Sequence, residues 1–295
     1  MDQARQRAMR LGCWRMPVDP MPLAGGITNT NFLVEHGGER FVVRVGDDIP
    51  VHGVSRANEL AAARAACAAG ISPEIVHAEA GALVMRYIEG TTLTPEMVRQ
   101  DAVLQRIVPT IQRCHRDIPK YFRGPAAMFW VFQVLRDYAM TLRDRNSRMG
   151  PELPRLARIA EQLESAVGPV TIVFGHNDLL AANFIDDGAR MWLVDWDYGG
   201  FNSPLFDLGG LASNNGLAPE QDEWLLEAYF EQAPTEDLRR RYAAMKCASL
   251  LRESMWSMVS EIYSTLEFDY VAYTTENLQR FERAWAEFQR RFGRP

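Results

Sequence analysis

His176-Asn177-Asp178-Leu179-Leu180-Ala181-Ala182-Asn183 fits the pattern H-x-D-x-x-x-x-N, and Asp195 follows twelve residues after Asn183, behind the apolar run Met191–Val194. Phosphoryl transfer needs these parts at about this spacing. One carboxylate must lie beside an acceptor hydroxyl, to orient it and take its proton. A second must hold magnesium against nucleotide phosphates. A neutral amide oxygen can complete the metal shell without adding negative charge. Magnesium takes hard oxygen ligands and keeps several waters, so one Asp and one Asn with phosphate oxygens suffice. The residues therefore read as Asp178 for the base and Asn183 and Asp195 for the metal ligands. The plainer reading is a turn satisfied by His176 and Asp178 and a strand end capped by Asp195.

The pattern around this stretch divides the chain near residue 90. Ahead of that point lie β-rich runs and one helix. Phe32–Glu35 and Arg40–Val45 are joined by His36-Gly37-Gly38, a hairpin signal. The alanine-rich Ser55–Ala69 reads as a helix that stops at Gly70. Short strands are expected around Glu74–His77 and Leu83–Tyr87, with Gly90 at a candidate hinge. Beyond it, Thr94 as N-cap and Pro95 at the first helical position start a helix running to about Arg116. Further helices fit Phe129–Asp144, Pro154–Ala166, Pro219–Glu231, Glu236–Ser264 and Thr275–Phe292. One β-rich island, Val170–Asp197, interrupts them. The expected fold class is α+β. Residues 1–90 form a small β-rich lobe and residues 91–295 a larger, mainly helical lobe, with a ligand cleft between them.

Composition narrows the partners. The chain has 295 residues, 47% apolar and 24% charged, the mix of an ordinary globular protein. A formal net charge of −6 argues against nucleic acid, whose phosphates call for Lys and Arg. Cys13, Cys67, Cys114 and Cys247 form no C-x-x-C pair, so reduced thiols and a cytoplasmic protein are expected. Residues 1–16 carry four arginines and no continuous apolar region, and read as a short helix rather than a signal peptide. The longest apolar stretch, Ala126–Leu135, is too short to span a bilayer, so no membrane partner is expected. Oligomeric state is not legible.

The stretch His176–Asn183, together with Trp192-Leu193-Val194-Asp195-Trp196-Asp197-Tyr198 and the continuation Gly199–Gly209, resembles the signature of the choline/ethanolamine kinases. These belong to the aminoglycoside-phosphotransferase branch of the protein-kinase-like fold. The resemblance runs from about Leu23 to Asn215. It implies a two-lobed kinase using ATP and Mg2+. It also implies an acidic-Tyr pair at Asp197-Tyr198, then Asn202, then a structural aspartate at Asp207. By the same likeness Gly25–Phe32 is the turn that covers the phosphates, with Gly26, Thr28 and Asn29 as its contacts. Glycines there let backbone N–H groups approach anionic oxygens. Arg44 is the cation for the phosphates, where kinases more often carry Lys, and Glu59 its ion-pair partner. Leu83–Gly90 is the hinge strand that holds the adenine, with Met85, Tyr87 and Ile88 as contacts and backbone groups around Arg86–Ile88 at the base edge.

The acceptor is less determined. A quaternary ammonium is best held by aromatic faces. Trp256 and Tyr263, seven apart on one helix, share a side of it. Phe268, Tyr270 and Tyr273 follow in what reads as a loop, and Trp196, Asp197 and Tyr198 adjoin the metal position. A small cationic amino alcohol is the expected substrate, although an aromatic stripe on a helix also serves as core. Eukaryotic choline kinases place Gln two residues after the catalytic Asp and an acid seven after the structural Asp; here stand Leu180 and Asn214. A bacterial-type choline kinase, a thiamine kinase, an aminoglycoside-type kinase or a non-catalytic nucleotide binder therefore stay open.

Overall fold

The computed structural model describes residues 2–23, 29–266 and 268–293, so Gly25, Gly26 and Thr28 of the expected phosphate turn lie outside the described residues. The chain groups into two compact units.

The first unit comprises residues 1–94, 109–126 and 181–199. Helix α1 (Asp2–Met9) precedes strands β1 (Met21–Leu23), β2 (Thr30–His36) and β3 (Glu39–Val45). Helix α2 (Arg56–Ala68) separates these from β4 (Ile75–Glu79) and β5 (Ala82–Arg86). The five strands form an antiparallel sheet in the order β1-β2-β3-β5-β4. The β2–β3 turn works because Gly37 and Gly38 both take positive φ, 62° and 81°. Period-two alternation puts Phe32, Val34, Phe41, Val43 and Val45 on one buried face, against Ala8 and Leu11 from the N-terminal segment. Arg44, between two of these valines, points to the other face.

Helix α2 starts at an unusual cap. Ser55 makes no side-chain cap bond; instead Asp48 accepts the Arg56 N–H at 2.7 Å. The helix ends at Gly70, whose φ of 72° turns the chain. Strand β6 (Thr91–Thr92) pairs with β8 (Phe184–Asp186), and β8 with β9 (Met191–Leu193). The Leu193 N–H also donates to Ile71 O at 2.8 Å, so the late strands are built into the early unit. Gly90 has a packing reason: a Cβ there would lie 2.7 Å from Asp186 O.

The second unit comprises residues 95–108, 127–180 and 200–295. It holds α3 (Pro95–Val98), the first part of α4 (Asp101–Tyr121), α5 (Val131–Asp144), α6 (Leu153–Val167), β7 (Val173–Gly175), β10 (Gly200–Asn202), α7 (Pro204–Asn215), α8 (Pro219–Phe230), α9 (Glu236–Tyr263) and α10 (Tyr270–Phe292). Helix α9, 28 residues long, is the post around which α5, α6, α7 and α10 pack. The single helix expected from Thr94 is two, and α4 runs five residues beyond Arg116 with Pro109 and Pro119 inside it. Helix α10 begins at Tyr270 rather than Thr275, because Asp269 accepts the Ala272 N–H at 2.9 Å and caps it. Tyr270 and Tyr273 are therefore helical and not in a loop. Among the described residues no helix is long and apolar enough to cross a membrane.

Helix α7 was not separable from the sequence. It is buried on nearly every side, so no amphipathic period marks it. Gly209 lets it approach α9 closely, since a Cβ there would lie 2.9 Å from the Lys246 Cα. We expect Gly209→Val to lower unfolding free energy by about 1–3 kcal/mol, measured by urea denaturation, because backbone cannot yield as a side chain can.

Candidate active site

In the first unit the sequence-predicted residues converge on one buried guanidinium. Arg44 on β3 is 7% exposed along its side chain. It contacts Asp195 at 2.8 Å and Asp197 at 2.7 Å through Nη2, and Glu59 on α2 at 3.0 Å through Nη1. Burial alone would favour the neutral form of Arg44. The carboxylates of Asp195, Glu59 and Asp197 outweigh it and hold the group more firmly protonated than an arginine in water. Burial acts most strongly on Glu59 and, with Asp197 beside it, leaves its pKa raised although Arg44 and Arg56 pull the other way.

Asp195 takes φ of +70°, a left-handed conformation that costs a non-glycine residue something and that Asp tolerates better than most. It follows Val194, whose N–H donates to Asn183 O at 2.9 Å. That bond brings the end of the Ala181–Asn183 turn beside the strand end, so the two expected metal ligands are neighbours. Asn183, Asp195 and Arg44 line one side of a cavity of about 250 Å³, and Val42, Met85, Tyr87 and Ile88 line the rest of it with others of this unit. The donor set suits a hard divalent cation: one ionisable carboxylate, one amide oxygen, no sulfur.

The hinge strand differs in detail from the reading of the sequence. The Arg86 N–H donates to Glu74 O at 2.9 Å and the Tyr87 N–H to Arg40 O at 3.1 Å. These two N–H groups are committed within the sheet, which moves the expected contact to a base edge towards Ile88. The Tyr87 ring is covered by the Arg40 guanidinium at 4.4 Å.

The three residues after Asp195 are buried. The Trp196 indole N–H donates to Ser72 Oγ at 2.7 Å. Asp197 accepts the Asn29 amide at 3.1 Å besides its arginines, and Tyr198 is 7% exposed.

In the second unit Asp178 sits on a loop held by Asp207. The N–H groups of His176 and Asn177 donate to the two Asp207 carboxylate oxygens at 2.8 and 2.7 Å. Asn177, at φ 64°, accepts the Asn202 amide at 3.0 Å and donates to Gly200 O at 3.1 Å. Gly175 is required by closeness, for a Cβ would meet Asn177 Oδ1 at 2.8 Å. The Asp178 side chain is 18% exposed, with Arg252 Nη1 of α9 at 4.0 Å. That same nitrogen meets Glu253 at 3.0 Å, and Glu253 accepts the Tyr273 hydroxyl at 2.8 Å. The guanidinium lies over the Phe129 ring at 5.6 Å. Burial, with Glu253 adding to it, pushes the Tyr273 hydroxyl above its ordinary pKa.

The helix aromatics separate. Trp256 is buried with Tyr270 at 6.1 Å, and Phe268 packs edge-on to Tyr270 and Tyr273 at 4.9 and 5.5 Å. Tyr263 stands 38% exposed at the end of α9, its hydroxyl accepting from Arg145 at 2.8 Å and its ring facing the same guanidinium. Sequence reasoning missed Arg56, which bridges Glu59 and Asp197. The contacts of Glu253 with Arg252 and Tyr273 were not foreseen either. An Arg three residues before Glu59 on a helix was the available signal for the first.

The profile of the phosphotransferase enzyme family matches residues 20–244. Protein LicA of Haemophilus influenzae is 28% identical over 218 residues, covering 72% of this chain and 63% of its own length. Ethanolamine kinase 2 of Mus musculus is 26% identical over 286 residues, 87% of this chain and 73% of the relative. A solved structure of a choline/ethanolamine kinase family protein from Mesorhizobium loti superposes with a TM-score of 0.79 at 29% identity, covering 98% of this chain and 97% of that one.

The Asp207 anchor generates a testable consequence. In Asp207→Asn one oxygen is replaced by an NH2 that opposes a buried N–H. We expect a stability loss of about 1–3 kcal/mol by urea denaturation.

Proposed function

The chain belongs to the phosphotransferase enzyme family, and from that premise we propose that it transfers the γ-phosphoryl group of ATP to the hydroxyl of choline or a closely related small amino alcohol. The observation that carries the reading is the buried Arg44 cluster with Glu59 and Asp195 on the wall of a 250 Å³ cavity that Asn183 and Met85 also line. The likeness to LicA, ethanolamine kinase 2 and the choline/ethanolamine kinase family structure supports the acceptor class.

In this reading residues 1–90, joined by Asn183 and Asp195, serve the nucleotide. Met85, Tyr87 and Ile88 border the base. Arg44, kept charged by its carboxylates and oriented by Glu59, offers its guanidinium to the phosphates, with Asn29 beside it. Asn183 and Asp195 would hold Mg2+, which when bound offsets the negative charge of the phosphates. Residues 91–295 supply the acceptor side. Asp178 orients the acceptor hydroxyl and takes its proton as the oxygen–phosphorus bond forms and the bond to ADP breaks.

Three features of the second unit favour an organic monocation. Asp178 and Glu253 supply two carboxylates against one guanidinium, Arg252, which leaves the surroundings net negative by one charge. Phe268 and Tyr273, which keep part of their surface exposed, supply aromatic faces, each worth about 0.5–2 kcal/mol to a cation above it, with the buried Trp256 and Tyr270 packed behind them. A net charge of one at this group offers less to a polycationic antibiotic than a site lined by several unpaired carboxylates would. Trp196, Asp197 and Tyr198 are buried in the first unit and Tyr263 pairs with Arg145, so the acceptor reading rests less on them than on Phe268 and Tyr273.

The test is a transfer assay with radiolabelled ATP against choline, ethanolamine, thiamine and aminoglycosides. We expect transfer to choline or ethanolamine. Asp178→Ala should lower turnover by about 10²–10⁴-fold while ADP binding, followed by calorimetry, stays within twofold. Full activity of the variant would sink the assignment of Asp178. Tight ATP binding without transfer to any acceptor would point to a nucleotide-binding module.

A further inference from the structure

Arg44 shares its carboxylates with a second cation that the proposed reaction does not use. Arg56, the first residue of α2, places Nη1 at 2.6 Å from Glu59 Oε2 and at 2.6 Å from Asp197 Oδ1. Its side chain is 15% exposed. It is fixed at both ends, since its backbone N–H donates to Asp48 at 2.7 Å and its Nε to Asp47 O at 3.0 Å. Arg44 meets the same two acids, Glu59 through the other oxygen and Asp197 through the same one. We infer that Arg56 is a positioning residue for nucleotide binding, one that shares Glu59 and Asp197 with Arg44 so that the Arg44 guanidinium can turn its charge to a nucleotide phosphate. The inference rests on the phosphate-binding role proposed above for Arg44.

Three carboxylates, Glu59, Asp195 and Asp197, face two guanidiniums, Arg44 and Arg56. With Arg56 neutral, Arg44 alone would face all three. An incoming phosphate would then compete with two buried, otherwise uncompensated carboxylates for a single guanidinium. The same carboxylates would repel it through a medium that screens poorly. Nucleotide affinity should fall, while the acceptor side is untouched. The atoms of Arg56 support a role through charge. Both ion pairs come from one nitrogen, and Nη2 is buried with no hydrogen-bond partner among the described residues. A side chain placed only to satisfy its neighbours would not leave that donor buried and unused. Because one nitrogen makes both contacts, a lysine ammonium can make them too, which an uncharged amide cannot do.

The experiment compares the wild type with Arg56→Lys and Arg56→Gln. ADP binding is measured by calorimetry, KM for ATP and for the acceptor by steady-state assay, and folding by thermal melting. R56Q is expected to weaken ADP binding and raise KM for ATP by about tenfold, the order that one unscreened charge at this range supplies. KM for the acceptor should stay within about twofold, and R56K should bind ADP within about threefold of wild type. A folded R56Q that binds ADP like the wild type overturns the inference. So does a folded R56K that loses about tenfold, since that would assign the effect to shape and not to charge. Should R56Q not fold, the R56K titration decides alone on the same limits. A wild type that binds no ADP would overturn the nucleotide reading itself, a different failure from unchanged binding in R56Q.

Discussion

A buried guanidinium needs carboxylates, and the arrangement around Arg44 follows from that need. Taking an arginine out of water costs several kcal/mol, and removing one member of such a pair costs about 3–5 kcal/mol because the other is left buried alone. Arg44 therefore fixes where Glu59, Asp195 and Asp197 can be. Glu59 sets the rotation of α2, and Asp195 and Asp197 set the end of β9. One ionic centre thus ties a sheet, a helix and a late strand of the first unit into one framework. The same cation lines the wall of a cavity, and in the proposed reading what holds the unit together also presents charge to a ligand.

The second unit solves a related problem with backbone hydrogen bonds. Asp207 accepts from two successive N–H groups, and Asn177, bonded to Asn202 and Gly200, braces the loop that carries Asp178. The proposed base, Asp178, lies on that loop with its side chain 18% exposed. Arg252 and Glu253 tune the charge nearby. The two units use opposite strategies, ion pairing in one and amide and carboxylate hydrogen bonding in the other.

Much of this was legible in the sequence because it depends on local pattern. Gly37-Gly38 fixed the hairpin, the alanine run marked α2, and the spacing from His176 to Asp195 marked the chemistry. The illegible parts depend on distant partners. Arg56 gains its meaning from Asp197, 141 residues away. Helix α7 has no amphipathic period because it is buried on nearly every side. Helix α10 starts five residues early because a single carboxylate, Asp269, caps it, and Tyr270 and Tyr273 look like loop residues without that cap. The hinge backbone is a similar case. Nothing in Arg86 or Tyr87 announces that their N–H groups pair with Glu74 and Arg40.

Gly90 illustrates how a flexible-looking residue can be a spacer. Its sequence context suggests a hinge, but Asp186 O and the Ile185 methyl occupy the space a side chain would take. Protein engineers often stabilise enzymes by replacing loop glycines with alanine, which restricts the unfolded chain. That approach has the wrong sign at this site, where the added methyl would push strand β8 away from β6. In a library selected for heat resistance, position 90 would stay fixed while the solvent-facing turn glycines Gly37 and Gly188, which meet nothing within 4 Å, accept a wider range of residues compatible with positive φ, such as Asn.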